Sequence, residues 1–359
     1  MNTQPRLDKL RELMGTQNLG ALLISQPENR RYISGFTGSA GILIVTTEQA
    51  LLATDFRYYE QAPKQAPAFS LVKVSASLVK TLASEIPSLG VKRVGFESHH
   101  VTVETFEKWK EALPDIEWVP TSGLVEKLRQ VKDAAELEAI KQAVRIADEA
   151  MEHIMEWIRP GVTEKEIAWE LEVYMRTHGA EKLSFTTIVA SGPNSSMPHA
   201  VTSDRPVQEG DPLVIDMGAV YEGYCSDLTR SFCLGHASEE YLHIWNTVLQ
   251  AQLTAEQGIH GGMPANEADA LARQLIDKAG YEGKFGHGLG HGVGLAIHEA
   301  PRVAQTAKGA LPTGSVVTIE PGIYLPGQGG VRLEDMVVLT EDGCRVLTRS
   351  PKVPVIKAR

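Results

Sequence analysis

The stretch Leu213 to Thr229, LVIDMGAVYEGYCSDLT, constrains the fold most tightly, because it plants two carboxylates on what reads as a single hairpin. Leu213 to Met217 is an apolar strand, Tyr224 to Phe232 alternates again, and Tyr221, Glu222 and Gly223 offer a tight turn between them. With the turn centred between Tyr221 and Glu222, Asp216 and Asp227 face each other across the two strands, their Cβ atoms roughly 5 Å apart. Like charges so placed repel, and a shared proton or a bound cation relieves them. Taken alone, the hairpin also fits two solvated aspartates on an exposed sheet face.

A second stretch narrows the choice. Thr318 to Asp335, TIEPGIYLPGQGGVRLED, is again strand, turn and strand, with Pro326, Gly327 and Gln328 at the bend. Glu320 and Glu334 lie symmetrically about Gly327, so a second carboxylate pair faces across a second hairpin. Two such pairs indicate one site built from both.

Length and composition bound the rest. A chain of 359 residues, 43% apolar, is long enough to bury the cores of two domains. The net charge of -10, from 45 acidic and 35 basic residues with no long basic run, argues against a nucleic-acid partner. The N-terminal residues carry no apolar signal core and no apolar run approaches a membrane span, so the expected address is cytoplasmic, with no membrane partner. Cys225, Cys233 and Cys344 show no CxxC spacing and read as reduced thiols.

Taken in order, residues 5 to 17 have apolar positions at helical spacing and Gly20 opens a strand, Ala21 to Ser25. Strands near Gly41 to Thr46, Ala50 to Thr54, Phe69 to Val74, Arg93 to Phe96 and Glu117 to Pro120 follow, with helices near Ser77 to Ile86 and Val103 to Leu113. That is an α/β domain, residues 1–125. Arg57 is expected to pair with Asp55 at a strand end. Beyond the composition change near residue 125, residues 126–359 form a second domain. It begins with a helix over Ala134 to Ile158. Thr163 and Glu166 then make a capping-box pattern for a helix up to Thr177, with Gly179 as its cap. A strand, Phe185 to Ala190, leads into a polar loop that presents His199. Helices over Glu239 to Gln257 and Ala265 to Ala279 precede the glycine-rich run GHGLGHGVGLAIHEAP, which carries His287, His291 and His298. Its spacing fits neither G-x-G-x-x-G nor HExxH. Each half of this domain runs as helices and then a carboxylate hairpin, which points to an internal pseudo-two-fold repeat.

Four carboxylates and an imidazole exceed what one small ion with open positions needs, and two divalent ions fit better. Oxygen-rich ligation with a single imidazole favours Mn(II), with Co(II), Zn(II) or Fe(II) as alternatives. Two such ions can activate water and polarise a carbonyl or phosphoryl oxygen, which is hydrolytic chemistry. Further histidines can then stabilise an oxyanion or protonate a leaving nitrogen. Arg332 projects to the same strand face as Glu334, where it can pair with a carboxylate ligand or meet a substrate carboxylate.

On these residues the chain resembles the pita-bread metallopeptidases, in the branch of aminopeptidase P and prolidase, over nearly its whole length. The family's Asp, Asp, His, Glu, Glu pattern falls on Asp216, Asp227, His291, Glu320 and Glu334. The resemblance implies an α/β N-terminal domain followed by an α+β pita-bread catalytic domain. It implies two metal ions, with Asp227 and Glu334 bridging both, Asp216 on one, and His291 with Glu320 on the other. Glu320 would also be the general base, His199, His287 and His298 would contact the scissile carbonyl and substrate, and Arg332 would be the active-site arginine. FTGSAG, Phe36 to Gly41, is similar to the N-terminal domain of the same branch, which methionine aminopeptidases lack. Creatinase keeps the fold without the ligands. The implied function is a metallo-exopeptidase that cuts before a penultimate proline, an Xaa-Pro aminopeptidase. Its alternative is an Xaa-Pro dipeptidase restricted to dipeptides, and a metal-free peptide-binding module of the same fold is the reading from another class. A homodimer is implied as well.

Overall fold

Strand Ala21–Ile24 is buried along its whole length and lies inside a sheet in the computed structural model, which describes residues 3–358. It pairs antiparallel with Ile42–Thr46 and parallel with Arg93–Glu97. Ala50–Thr54 and Ser70–Lys73 extend the first side, and Glu117–Thr121 the second. Central strands buried on both faces read as unbroken apolar runs, and ALLI and ILIVT are such runs. Leu23, Ile44 and Val94 from the sheet pack with Leu82 and Ile86 of helix Leu78–Ser88 and Trp109 of helix Val103–Ala112. The sequence reading places no helix over Pro27–Ser34, whose PENRRYIS has no apolar stripe. The signals there are at its ends, Pro27 in the first turn and Gly35 at φ 82° just past the last. Arg57 makes the expected pair with Asp55, at 2.7 Å.

The compact units are Met1–Arg129 and Gln130–Arg359, dividing beyond residue 125, where the composition changes. Helix Leu124–Arg129 stays with the first unit because its end is tied there: the Tyr32 hydroxyl donates to the Leu128 carbonyl at 3.1 Å and Arg129 donates to Asn29 at 2.8 Å.

The second unit opens with helices Ala134–Trp157 and Glu164–Thr177, each started by a capping box, Asp133 with Glu136 and Thr163 with Glu166. The second of these contains Trp, Val, Tyr and Thr, only moderate helix formers. Burial of Ile167, Leu171 and Met175, about 1.5–3 kcal/mol each, outweighs a few tenths per residue of propensity. Both helices cover a sheet in the order Val355–Ile356, Leu228–Leu234, Pro212–Met217, Ile188–Ser191. Helices Glu239–Gly258 and Ala265–Ile276 cover a second sheet, in the order Glu299–Val303, Gly290–Gly292, Val316–Ile319, Asp335–Leu339, Cys344–Val346. The two halves therefore repeat one plan, a helix pair over a sheet that is antiparallel except for the parallel edge strand Val355–Ile356, which is the α+β pita-bread arrangement. Strand Ile188–Ser191 begins later than the expected Phe185, and Phe185 and Thr186 instead line a cavity.

The first hairpin differs from its sequence reading. Tyr221 pairs with Tyr224 around Glu222 at φ 45° and Gly223 at φ 76°, so the turn is centred one residue later than expected. A two-residue turn of this hand needs both central residues left-handed, and Gly223 is one of them rather than the residue after it. In the resulting register Asp216 faces Thr229, and Asp227 is its diagonal neighbour. The second hairpin has the symmetric register: Gly322 pairs with Arg332 and Ile319 with Asp335, which puts Glu320 and Glu334 in matching positions. The glycine-rich run supplies strand Gly290–Gly292, where close backbone approach is required. A Cβ on Gly290 would stand 2.0 Å from the Thr318 carbonyl oxygen.

Candidate metal centre

Each hairpin delivers its carboxylates where strand pairing changes hands. Asp216 is the last residue but one of Pro212–Met217, and Asp227 immediately precedes Leu228–Leu234. Glu320 follows Val316–Ile319, and Glu334 sits between Gly329–Arg332 and Asp335–Leu339. His291 is the middle residue of Gly290–Gly292, between two strands of the second sheet. All five line one cavity of about 870 Å³, together with His199, His287, His298 and Arg332. Among the described residues, ligand atoms of Asp227, His291 and Glu334 come within 4.8 Å of one another.

His291 shows how the site is prepared for a cation. Its Nδ1 lies 3.1 Å from the Gly292 carbonyl oxygen, which only accepts, so that nitrogen carries the proton. Burial lowers the pKa of the ring to about 4, so Nε2 carries a lone pair. That lone pair faces Asp227 Oδ2 at 3.5 Å and Glu320 Oε1 at 3.4 Å. Three electron-rich atoms turned toward one another are unfavourable by themselves and match the donor set of a divalent ion.

The carboxylates report the same imbalance. Burial, then the charges of Glu334, Asp216 and Glu320, pushes the Asp227 carboxyl well above its ordinary pKa. Burial and the neighbouring charges do the same to Glu334. Glu320 is raised to about 8, again by burial first, with Arg332 opposing. Arg332 is itself buried, yet Tyr324, Asp216 and Glu320 keep it charged. Its Nη2 donates to Asp216 Oδ2 at 2.6 Å, which answers the question its sequence position left open: it pairs with a carboxylate of the cluster. The other Asp216 oxygen, Oδ1, is buried and has no hydrogen-bond partner among the described residues, so a cation has an acceptor waiting there. Behind the cluster, buried Arg230 donates to the carbonyls of Thr229 and Glu334 and to the Asp335 carboxylate, joining a strand of each hairpin.

The remaining histidines divide into two kinds. Both ring nitrogens of His287 are engaged, Nδ1 with the Gly288 carbonyl at 2.9 Å and Nε2 with the Tyr324 hydroxyl at 2.9 Å. Burial holds this ring neutral, with a pKa of about 4, so Nδ1 donates and Nε2 accepts from Tyr324, whose oxygen in turn receives Arg332 Nη1 at 3.0 Å. His287 therefore turns toward Tyr324 rather than presenting a free nitrogen. Among the described residues, His199 and His298 have no hydrogen-bond partner and leave their nitrogens to the cavity, the His298 ring standing 4.4 Å from that of His291.

Sequence reasoning passed over Tyr324, because a tyrosine in an apolar strand reads as core. Its parity with Glu320 along the chain was the available signal. It also passed over Arg302, an exposed guanidinium on the cavity wall directly across the strand pair from His291.

A buried cluster of carboxylates and one imidazole, set between the two halves of this fold, is the donor set of a divalent-metal site, and the family match makes the protein a metallopeptidase. Residues 138–341 match Metallopeptidase family M24 and residues 6–131 match the Creatinase/Prolidase N-terminal domain. The chain belongs to family M24. It is similar to the structure of Xaa-Pro dipeptidase from Bacillus anthracis, with TM-score 0.97 and 44% identity over 99% of this chain and 100% of that one. It is also similar to the X-Pro aminopeptidase structure from Thermotoga maritima, with TM-score 0.90 and 39% identity over 98% and 100% of the two chains. The Xaa-Pro dipeptidase of Pyrococcus furiosus is 37% identical over 97% of this chain and 98% of its own length.

Proposed function

We propose that this metallopeptidase hydrolyses the bond between an N-terminal residue and a following proline, with Xaa-Pro dipeptides as its main substrates. The carrying observation is the electron-rich focus of Asp227, His291, Glu320 and Glu334, in one cavity with the free imidazoles of His199 and His298. The dipeptide reading rests on the relatives named for that activity in Bacillus anthracis and Pyrococcus furiosus, and is supported by Arg302, an exposed arginine on the cavity wall available to a substrate carboxylate while Arg332 is occupied with Asp216. An aminopeptidase that accepts longer peptides is the second reading, favoured by the Thermotoga maritima relative.

In this reading two divalent ions, Mn(II) foremost, are held by Asp216, Asp227, His291, Glu320 and Glu334. When bound, they supply Lewis-acid polarisation of the scissile carbonyl and activation of water. Glu320 takes a proton from the attacking water, and His199 and His298 donate to the carbonyl oxygen and the leaving nitrogen. Arg332 holds Asp216, and Tyr324 with His287 fixes the guanidinium from behind. A homodimer in the cytoplasm completes the proposal; no helix among the described residues is long and apolar enough to cross a membrane.

The test is hydrolysis, by the Mn(II)-loaded protein with a metal-stripped control, of an Xaa-Pro dipeptide and the same peptide extended by one residue. Cleavage confined to the dipeptide is expected. Equal or better cleavage of the longer peptide would make it an aminopeptidase, and cleavage of neither would overturn the proline specificity.

A further inference from the structure

Glu164 is completely buried at the start of helix Glu164–Thr177, and the helix does not need it there, since Thr163 and Glu166 already cap its first turn. Its carboxylate accepts at both oxygens. Oε1 receives the Ser191 amide and hydroxyl, both at 2.7 Å, and the Asn194 side chain at 3.1 Å. Oε2 receives the Ser203 amide at 2.9 Å and hydroxyl at 2.6 Å. One oxygen thus holds the beginning of segment 191–203 and the other holds its end. Between those ends lie Pro198, whose carbonyl accepts from Arg332 at 3.1 Å, and His199. Midway, Ser195 receives the Gly330 amide at 3.0 Å, docking the segment on the strand that carries Arg332. Taking a carboxylate out of water is costly, and a helix cap achievable with surface residues does not justify that cost. Burial raises its pKa, and the serine hydrogen bonds more than reverse this, leaving it below the usual range and ionised at neutral pH.

The other half of the unit repeats the device. Asp269, completely buried on helix Ala265–Ile276, accepts the Leu289 amide at 2.9 Å and grips Arg273, which donates to the carbonyls of Phe285 and His287, each at 2.6 Å. In both halves an acid on the second helix fixes the backbone of a histidine-bearing segment.

We propose that Glu164 is a positioning residue for His199: it clamps both ends of segment 191–203 and so sets where that imidazole meets the substrate. This rests on the substrate-facing role assigned to His199 above. The test compares Glu164→Gln, His199→Ala and the double variant. A glutamine keeps the shape but turns an amino group toward one set of donors, so one end of the clamp opens. Metal content is expected to stay at the wild-type level, amide hydrogen exchange to accelerate within 191–203, and kcat/KM for an Xaa-Pro dipeptide to fall about 10- to 100-fold. In the double variant the two losses should not multiply, because both act through one imidazole. Ser203→Ala, which removes a single donor, should give a milder form of the same result and covers the case in which Glu164→Gln does not fold. Multiplying losses, loss of metal, or unchanged exchange in 191–203 would overturn the proposal. If the wild-type protein cleaves no Xaa-Pro bond, the functional reading falls instead, and the exchange measurement still decides whether Glu164 is the clamp.

Discussion

In the first hairpin Asp216 faces Thr229 and its charge is met by Arg332 at 2.6 Å, whereas in the second Glu320 and Glu334 hold matching positions without a Lys or Arg in salt-bridge contact among the described residues. Asp227 belongs with the second group, since its near neighbour is the neutral ring of His291. One corner of the cluster is thus neutralised by the protein, and the rest is left with surplus negative charge and lone pairs. The contrast separates two tasks: Arg332 orients Asp216, and the other four ligand candidates provide the demand for a cation.

The comparison breaks most visibly at Asp227. Asp227→Asn removes a charge from the uncompensated group, so metal content and turnover should fall together. The turnover loss should exceed about a thousandfold, beyond the cost of one oxyanion donor; metal analysis alongside a rate assay checks it. A variant with full turnover would remove Asp227 from the ligand set. For His298→Ala a loss of about 100- to 1,000-fold is expected with metal retained, because its ring lines the cavity and is not among the five ligand candidates. Metal loss there would mean that the division between ligands and substrate-facing rings is drawn wrongly. Arg332→Lys should be milder, about 10- to 100-fold, since an ammonium cannot reproduce the fork that spans Asp216, Tyr324 and Pro198.

Stability against pH gives the clearest sign. Glu320 has its folded pKa raised to about 8, above the ordinary 4.5, so in metal-free protein its contribution is fully present below about pH 4.5 and is lost as pH rises through 8. Asp227 and Glu334 are shifted in the same direction. Metal-free protein should therefore lose stability across the neutral range, by up to about 1.4 kcal/mol per pH unit for each group titrating, while loaded protein keeps a flatter profile. Melting curves at pH 5 to 9, with and without Mn(II), would show this. Parallel profiles would contradict the electrostatic contrast between the corners.

Much of this arrangement was legible in the chain. The second hairpin could be read because its bend is symmetric about Gly327, so counting residues placed Glu320 opposite Glu334. The same count slipped at the first hairpin, where Glu222 adopts a left-handed conformation that its residue type does not advertise. Still, a diagonal neighbour shares the face of an opposed one, and Asp216 and Asp227 both reach the cavity. Tyr324 offered only its parity with Glu320, and Glu164 and Asp269 were not legible. The signals of the two acids are partners far along the chain, and a buried acid at a helix start resembles an ordinary exposed one until those partners are seen.

The central claim is that both hairpins feed one cation site. Calorimetric titration of the metal-stripped protein with Mn(II), at two pH values and in buffers of different ionisation enthalpy, tests it most directly. The account predicts two ions per chain with proton release, tighter binding at the higher pH, and loss of both ions in Asp227→Asn. A single ion that survives Asp227→Asn, or binding without proton release, would contradict it.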